Sequence, residues 1–175
     1  VRHWKDMYGF PPKFLPGGHM IASRGTRPAA NGYQDQEDLT MVDMDGKVEW
    51  SFDHNQLIND PDGERWMARQ HHDFQVTGNP VGYYVPGMDP DPNFDKMLLL
   101  THNDVKKPKI SPQSLLDDRL IEIDREGNIL WEWSVIDHFN QFGFTEEQKN
   151  AMFRSPNVQH AGSEGQGDLF HCNCA

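Results

Sequence analysis

Residues 39–52 read LTMVDMDGKVEWSF, and residues 120–133 read LIEIDREGNILWEW; the two align without a gap. The shared pattern is Leu, two residues, Val or Ile, Asp, any residue, Asp or Glu, Gly, any residue, Val or Ile, any residue, Trp. Each copy predicts a hairpin: an alternating strand, a tight turn at Gly46 or Gly127 where positive φ is needed, and a second alternating strand ending on Trp50 or Trp131. Apolar strands precede both copies at similar distances, HMIAS (19–23) before the first and MLLLT (97–101) before the second. A polar stretch and then a histidine-bearing strand follow each Trp: HHDFQV (71–76), and LFHCNCA (169–175).

One unit therefore contains four short strands, the pattern of a β-propeller blade, a small sheet set radially about a central channel. The period of about 80 residues exceeds the usual 40–50 because of inserts rich in Pro, Gly and Asp, such as PGMDPDPNF (86–94). The predicted fold class is all-β. It is an incomplete portion of a β-propeller: about two blades (units 18–70 and 71–168) and the first strand of a third (169–175), with long loop insertions. A short helix is expected at TEEQKNAMF (145–153), where Thr145 and Gln148 have capping-box spacing. Propellers close with roughly four to eight blades, so the remainder is expected from continuing chain or a second subunit.

Composition supports a folded chain with polar inserts. Hydrophobic residues make up 36% of the 175 positions and mean hydropathy is -0.78, yet five Trp, ten Phe and four Tyr are too many aromatics for a disordered segment. A formal charge of -11 repels a phosphate backbone, and the longest basic cluster is KKPK (106–109), so nucleic acid is excluded as an expected partner. No apolar run approaches the roughly 20 residues that span a bilayer. Cys172 and Cys174 are too close in sequence for an ordinary structural disulfide.

Strand alternation sorts the histidines. In HCNCA it places His171 and Asn173 on one face and Cys172 and Cys174 on the other, the thiols toward protein because free Cys behaves as a small buried hydrophobe. In HHDF it groups His71 with Asp73 and His72 with Phe74, with His71 favoured toward the channel. His102, in THND (101–104), and His160, on the Gly-rich stretch VQHAGSEGQGD, are candidates for contact with a substrate. His54 and His138 are expected to hold hairpin ends, and His3 and His19 carry no argument.

These motifs together, the Asp-x-Asp/Glu-Gly-x-Val/Ile-x-Trp hairpins, the HHD strand, DHF at 137–139 and the His-x-Asn of 171–173, resemble the arylsulfotransferase (aryl-sulfate sulfotransferase) family. The resemblance covers most of the chain as short motifs. It implies a six-bladed propeller, export to the periplasm or beyond, and transfer of a sulfuryl group from an aryl sulfate to a phenol with no added cofactor. It also implies that the sulfated histidine and an arginine would lie after Ala175. His71, His72, His171 and Asn173 are then the catalytic candidates, binding oxygens or moving protons. Such roles suit a loose in-line displacement, in which an enzyme mainly positions the group and stabilises charge.

Two alternatives follow from the residues themselves. His71, His102 and His171 at a shared axis are transition-metal ligand types, whereas no Cys-x-x-Cys or His-Glu-x-x-His is present; acidic turns such as DMDG and DPDPNFD are candidates for structural calcium, although neither has EF-hand spacing. A propeller is also compatible with a non-catalytic module that binds a ligand or protein, since fold does not fix function.

Overall fold

The structure is a computed structural model that describes residues 3–28, 35–78, 93–155, 158 and 167–175. It is built on antiparallel sheets. The first contains β1 (Tyr8–Leu15), β2 (His19–Ser23), β3 (Leu39–Val42) and β4 (Val48–Phe52), side by side in chain order. A separate hairpin, β5 (Gln56–Asp60) with β6 (Gly63–Met67), follows it. The second large sheet runs β7 (Gln70–Val76), β8 (Lys96–Val105), β9 (Leu115–Asp124) and β10 (Ile129–Ser134), again in chain order. A two-residue strand, β11 (Gly167–Asp168), pairs in parallel with the start of β9.

Both repeat copies are hairpins. Gly46 and Gly127 take φ of 84° and 86°, and the preceding aspartates close the turns in the same way. Asp43 Oδ1 accepts from the amides of Asp45 and Lys47, and Asp124 Oδ1 accepts from the Asn128 amide. The Asp of the repeat is therefore a turn residue, and in DMDG Asp43 Oδ1 accepts from two backbone amides. DPDPNFD lies largely outside the described residues.

The two large sheets share one core. Leu15, Ile21, Leu39, Met41 and Phe52 from the first pack with Phe74, Val76, Met97, Leu99, Ile121 and Ile123 from the second. Trp50 extends this contact: its indole N–H donates to the Arg125 carbonyl, in the β9–β10 turn, at 2.7 Å, and its ring meets Phe94 edge-on at 5.1 Å. The corresponding Trp131 is 48% exposed, beside exposed Ile129 and Leu130. Each large sheet contains a four-stranded antiparallel meander, and no closed ring of sheets forms among the described residues.

Three elements differ from the expectation. The first sheet begins at Tyr8, upstream of 18, because β1 incorporates Pro11 and Pro12. A register irregularity between Tyr8 and Lys13 takes them out of the ladder at a strand bonded to β2 on one side. The insert after Trp50 holds the β5–β6 hairpin, turned by Pro61 and Asp62 ahead of Gly63. Residues 169–175 form no strand, so the expected first strand of a third blade is replaced by irregular chain. The helix stands as expected: α1 (Glu146–Phe153) carries Thr145 as N-cap, with both hydrogen bonds of the capping box to Gln148. It follows a 3-10 helix, Val135–Phe142, and Phe139 and Phe153 pack on a second cluster with Leu115, Ile136 and Val158.

Candidate functional site

A bulge in β7 sets the site. Gln70 pairs with Thr101 and Phe74 with Leu99, so four steps along β7 face two along β8. The two extra residues fall in the segment 71–73, and His72 has φ of 53°. A bulge of this kind redirects side chains, and strict alternation is lost: His71 and His72 both enter the site, and Asp73 turns to the Lys13 ammonium at 2.5 Å. The grouping of His71 with Asp73 and of His72 with Phe74 is corrected accordingly.

Beneath the bulge, the β8–β9 register places His102 directly opposite Asp118. The rings of His71 and His102 stack with centroids 3.6 Å apart and planes at 15°. His71, His102 and Asp118 are each 1% exposed. Asp118 Oδ1 lies 3.2 Å from His71 Nε2 and 3.8 Å from His102 Nε2. The 3.2 Å approach is short, yet Asp118 Oδ1 and the facing nitrogens make no well-formed hydrogen bond among the described residues. On the other side of His102, Nδ1 meets Asp35 Oδ1 at 2.5 Å. Asp118 Oδ2 accepts from the Cys172 amide at 3.2 Å.

Asp35 belongs to a buried ion network. Arg69 Nε reaches Asp35 Oδ2 at 2.8 Å, and Arg27 contacts Asp35 at 3.3 Å while forming a two-pronged pair with Asp60. Burial alone would raise the Asp35 carboxyl, but Arg69 and His102 outweigh it and hold the group well below the usual carboxylate range. Burial pushes His71 down to about 4, against the opposing pull of Asp118, so its ring is neutral near pH 7.

Above this floor, toward solvent, His72 Nε2 lies 3.3 Å from His171 Nε2. The chain following β11 turns through His171 at φ 52°, and His171 Nδ1 faces Asp168 Oδ2 at 2.7 Å. Non-glycine residues seldom adopt positive φ. Two of them, His72 and His171, meet across the site, and Arg69 at φ 51° starts the bulged segment. Burial, with His171 and His102 nearby, lowers His72 as well.

The structure thus brings His71, His72, His102 and His171 together; ring centroids of His71 and His72 are 5.5 Å apart, those of His72 and His171 5.1 Å. Asn173 and Cys174 are exposed, contrary to the strand alternation expected for 171–174, because no strand forms there. His160 lies outside the described residues. Of the other histidines, His138 stacks on Trp133 and His54 on Trp66. Of the expected metal set of His71, His102 and His171, the first two lie within ligand reach of Asp118, while His171 meets Asp168 and His72.

Sequence reasoning passed over Asp35, Arg69, Asp118 and Asp168. Asp118 left a signal in LLDDRLIEID (115–124), where two adjacent carboxylates interrupt an apolar strand. Asp35 and Asp168 left none, because they sit in irregular or barely paired segments. No family model matches the chain, and neither a curated protein nor a solved structure does.

Proposed function

We propose that this chain supplies a histidine-based site for sulfuryl transfer between phenolic compounds, an aryl sulfate as donor and a phenol as acceptor. The observation that carries the reading is the triad of contacts Asp168–His171–His72. Asp168, accepting from His171 Nδ1–H, fixes the tautomer in which Nε2 keeps its lone pair, and a neutral His72 donates Nε2–H toward it. The pair is only partly buried, so an entering substrate can separate it. His72 then offers a donor to a sulfuryl oxygen while His171 manages the proton.

The chemistry balances with these groups. In a direct in-line transfer the acceptor phenol gives its proton to the lone pair of His171 Nε2 as its oxygen bonds to sulfur. The bond between sulfur and the donor's aryl oxygen breaks in the same displacement, and the imidazolium so formed returns the proton to the departing phenolate. Burial lowers His72, so it meets the substrate as a neutral hydrogen-bond donor. The same reading seats the exposed β10 face, with Trp131, against a further four-stranded unit of a propeller, as Trp50 seats against the β9–β10 turn.

The test is release of nitrophenol from a nitrophenyl sulfate with a phenol acceptor present. His171→Asn and His72→Asn are each expected to lower kcat by about 100-fold or more, the range of a lost general acid–base group, and His54→Asn to leave it unchanged. Absence of turnover by the intact protein, or full turnover by both site variants, overturns the reading.

A further inference from the structure

We propose that His71, His102 and Asp118 bind a divalent transition-metal ion, zinc or one of similar preference, in the floor of the histidine cluster. Two imidazoles and one carboxylate are a donor set used by zinc and by non-haem iron. Their candidate ligand atoms all lie within 4.8 Å of one another. The two carboxylate–imidazole separations, 3.2 and 3.8 Å, bracket the roughly 3.4 Å between donors that bond lengths of about 2.0–2.2 Å give in a tetrahedral ion.

The unsatisfied atoms supply the second argument. His71 Nδ1 and Nε2, His102 Nε2 and Asp118 Oδ1 are buried without a hydrogen bond among the described residues. Buried polar groups left in this way are destabilising because their lost hydration is not replaced. A cation between them satisfies three at once. The remaining atoms of two of these groups are already oriented from outside. Asp35 accepts from His102 Nδ1, which leaves Nε2 as the lone-pair nitrogen, and the Cys172 amide holds Asp118 Oδ2, which leaves Oδ1 facing inward. A carboxylate behind a ligand histidine is the usual outer support of a metal site. An ion must lie in the plane of each ligating ring, so binding tilts one imidazole out of the present stack.

The experiment uses the intact, tag-free protein, stripped with a chelator and titrated with Co²⁺, which reports its own coordination through visible d–d absorption. One equivalent per chain, displaced by Zn²⁺, is expected. His71→Asn and Asp118→Asn are expected to abolish it, Asp35→Asn to weaken it about 10- to 100-fold, and His54→Asn to leave it intact. Failure of the unsubstituted protein to bind a stoichiometric ion overturns the site, and this arm needs no variant to fold. Undiminished binding by folded Asp118→Asn or His71→Asn overturns it equally. The proposal does not rest on sulfuryl transfer: a protein that binds cobalt and turns over no aryl sulfate keeps the metal site and loses the transfer reading, and the opposite result does the reverse.

Discussion

At the scale of single residues, buried carboxylates do most of the organising. Asp38 shows how on a residue away from the histidines. Its Oδ1 accepts from Ser23 Oγ and the Arg24 amide, and its Oδ2 from Arg24 Nε and Thr40 Oγ1. Burial alone would raise its carboxyl, but the hydrogen bonds from Thr40, Arg24 and Ser23 prevail and depress it. A depressed carboxylate contributes stability that is present above its unfolded value, about 3.9, and lost as pH falls through the folded one. Asp38→Asn, which turns one acceptor into a donor facing Arg24, is expected to lose on the order of 1–3 kcal/mol at pH 7. The difference from the parent protein should shrink as urea melts are repeated from pH 5 down to pH 3; a difference constant with pH would contradict the linkage. Residues of this kind were poorly legible in the sequence. Ligand-type histidines were visible as residue types, and HHD and His-x-Asn drew attention to 71, 72 and 171. The carboxylates that orient them come from distant or irregular segments, so only the folded chain reveals Asp35 and Asp168.

At the scale of elements, the repeated hairpin was readable because a turn with positive φ requires a specific residue. Gly46 and Gly127 allow a comparison between them. A Cβ at Gly46 would meet only Trp4, at 4.0 Å, so Gly46→Ala tests backbone strain almost alone, about 1 kcal/mol. At Gly127 the Cβ would also press Phe52 at 3.3 Å, a side chain of the other sheet. Gly127→Ala is therefore expected to lose more than Gly46→Ala in urea melts, and equal losses would show that the turn does not press on Phe52. The bulge in β7 was not readable. Period-two alternation presumes an uninterrupted ladder, and nothing in QHHDFQV marks where two residues leave it. Nor was β1, since prolines argue against a strand unless a partner's register shifts to pass them.

For the whole molecule, the all-β class and the tandem four-stranded sheets follow from the repeat, whereas ring closure is not visible in either. The contact between sheets has a measurable anchor. Trp50→Phe removes the hydrogen bond to the Arg125 carbonyl across the sheets and is expected to destabilise by about 1–2 kcal/mol. Trp131→Phe, at the equivalent but half-exposed position, should change stability by less than about 0.5 kcal/mol in the isolated chain. A loss at Trp131 as large as at Trp50 would mean that its face is already covered. The pairing of His72 with His171 spans 99 positions of sequence, and its consequence concerns timing. Contacts between distant segments form slowly because the intervening loop must first be closed. During synthesis β7 to β10 emerge ahead of His171, so the bulge that carries His72 is laid down before its partner arrives, and the two imidazoles meet only once residues 168–171 fold back onto it.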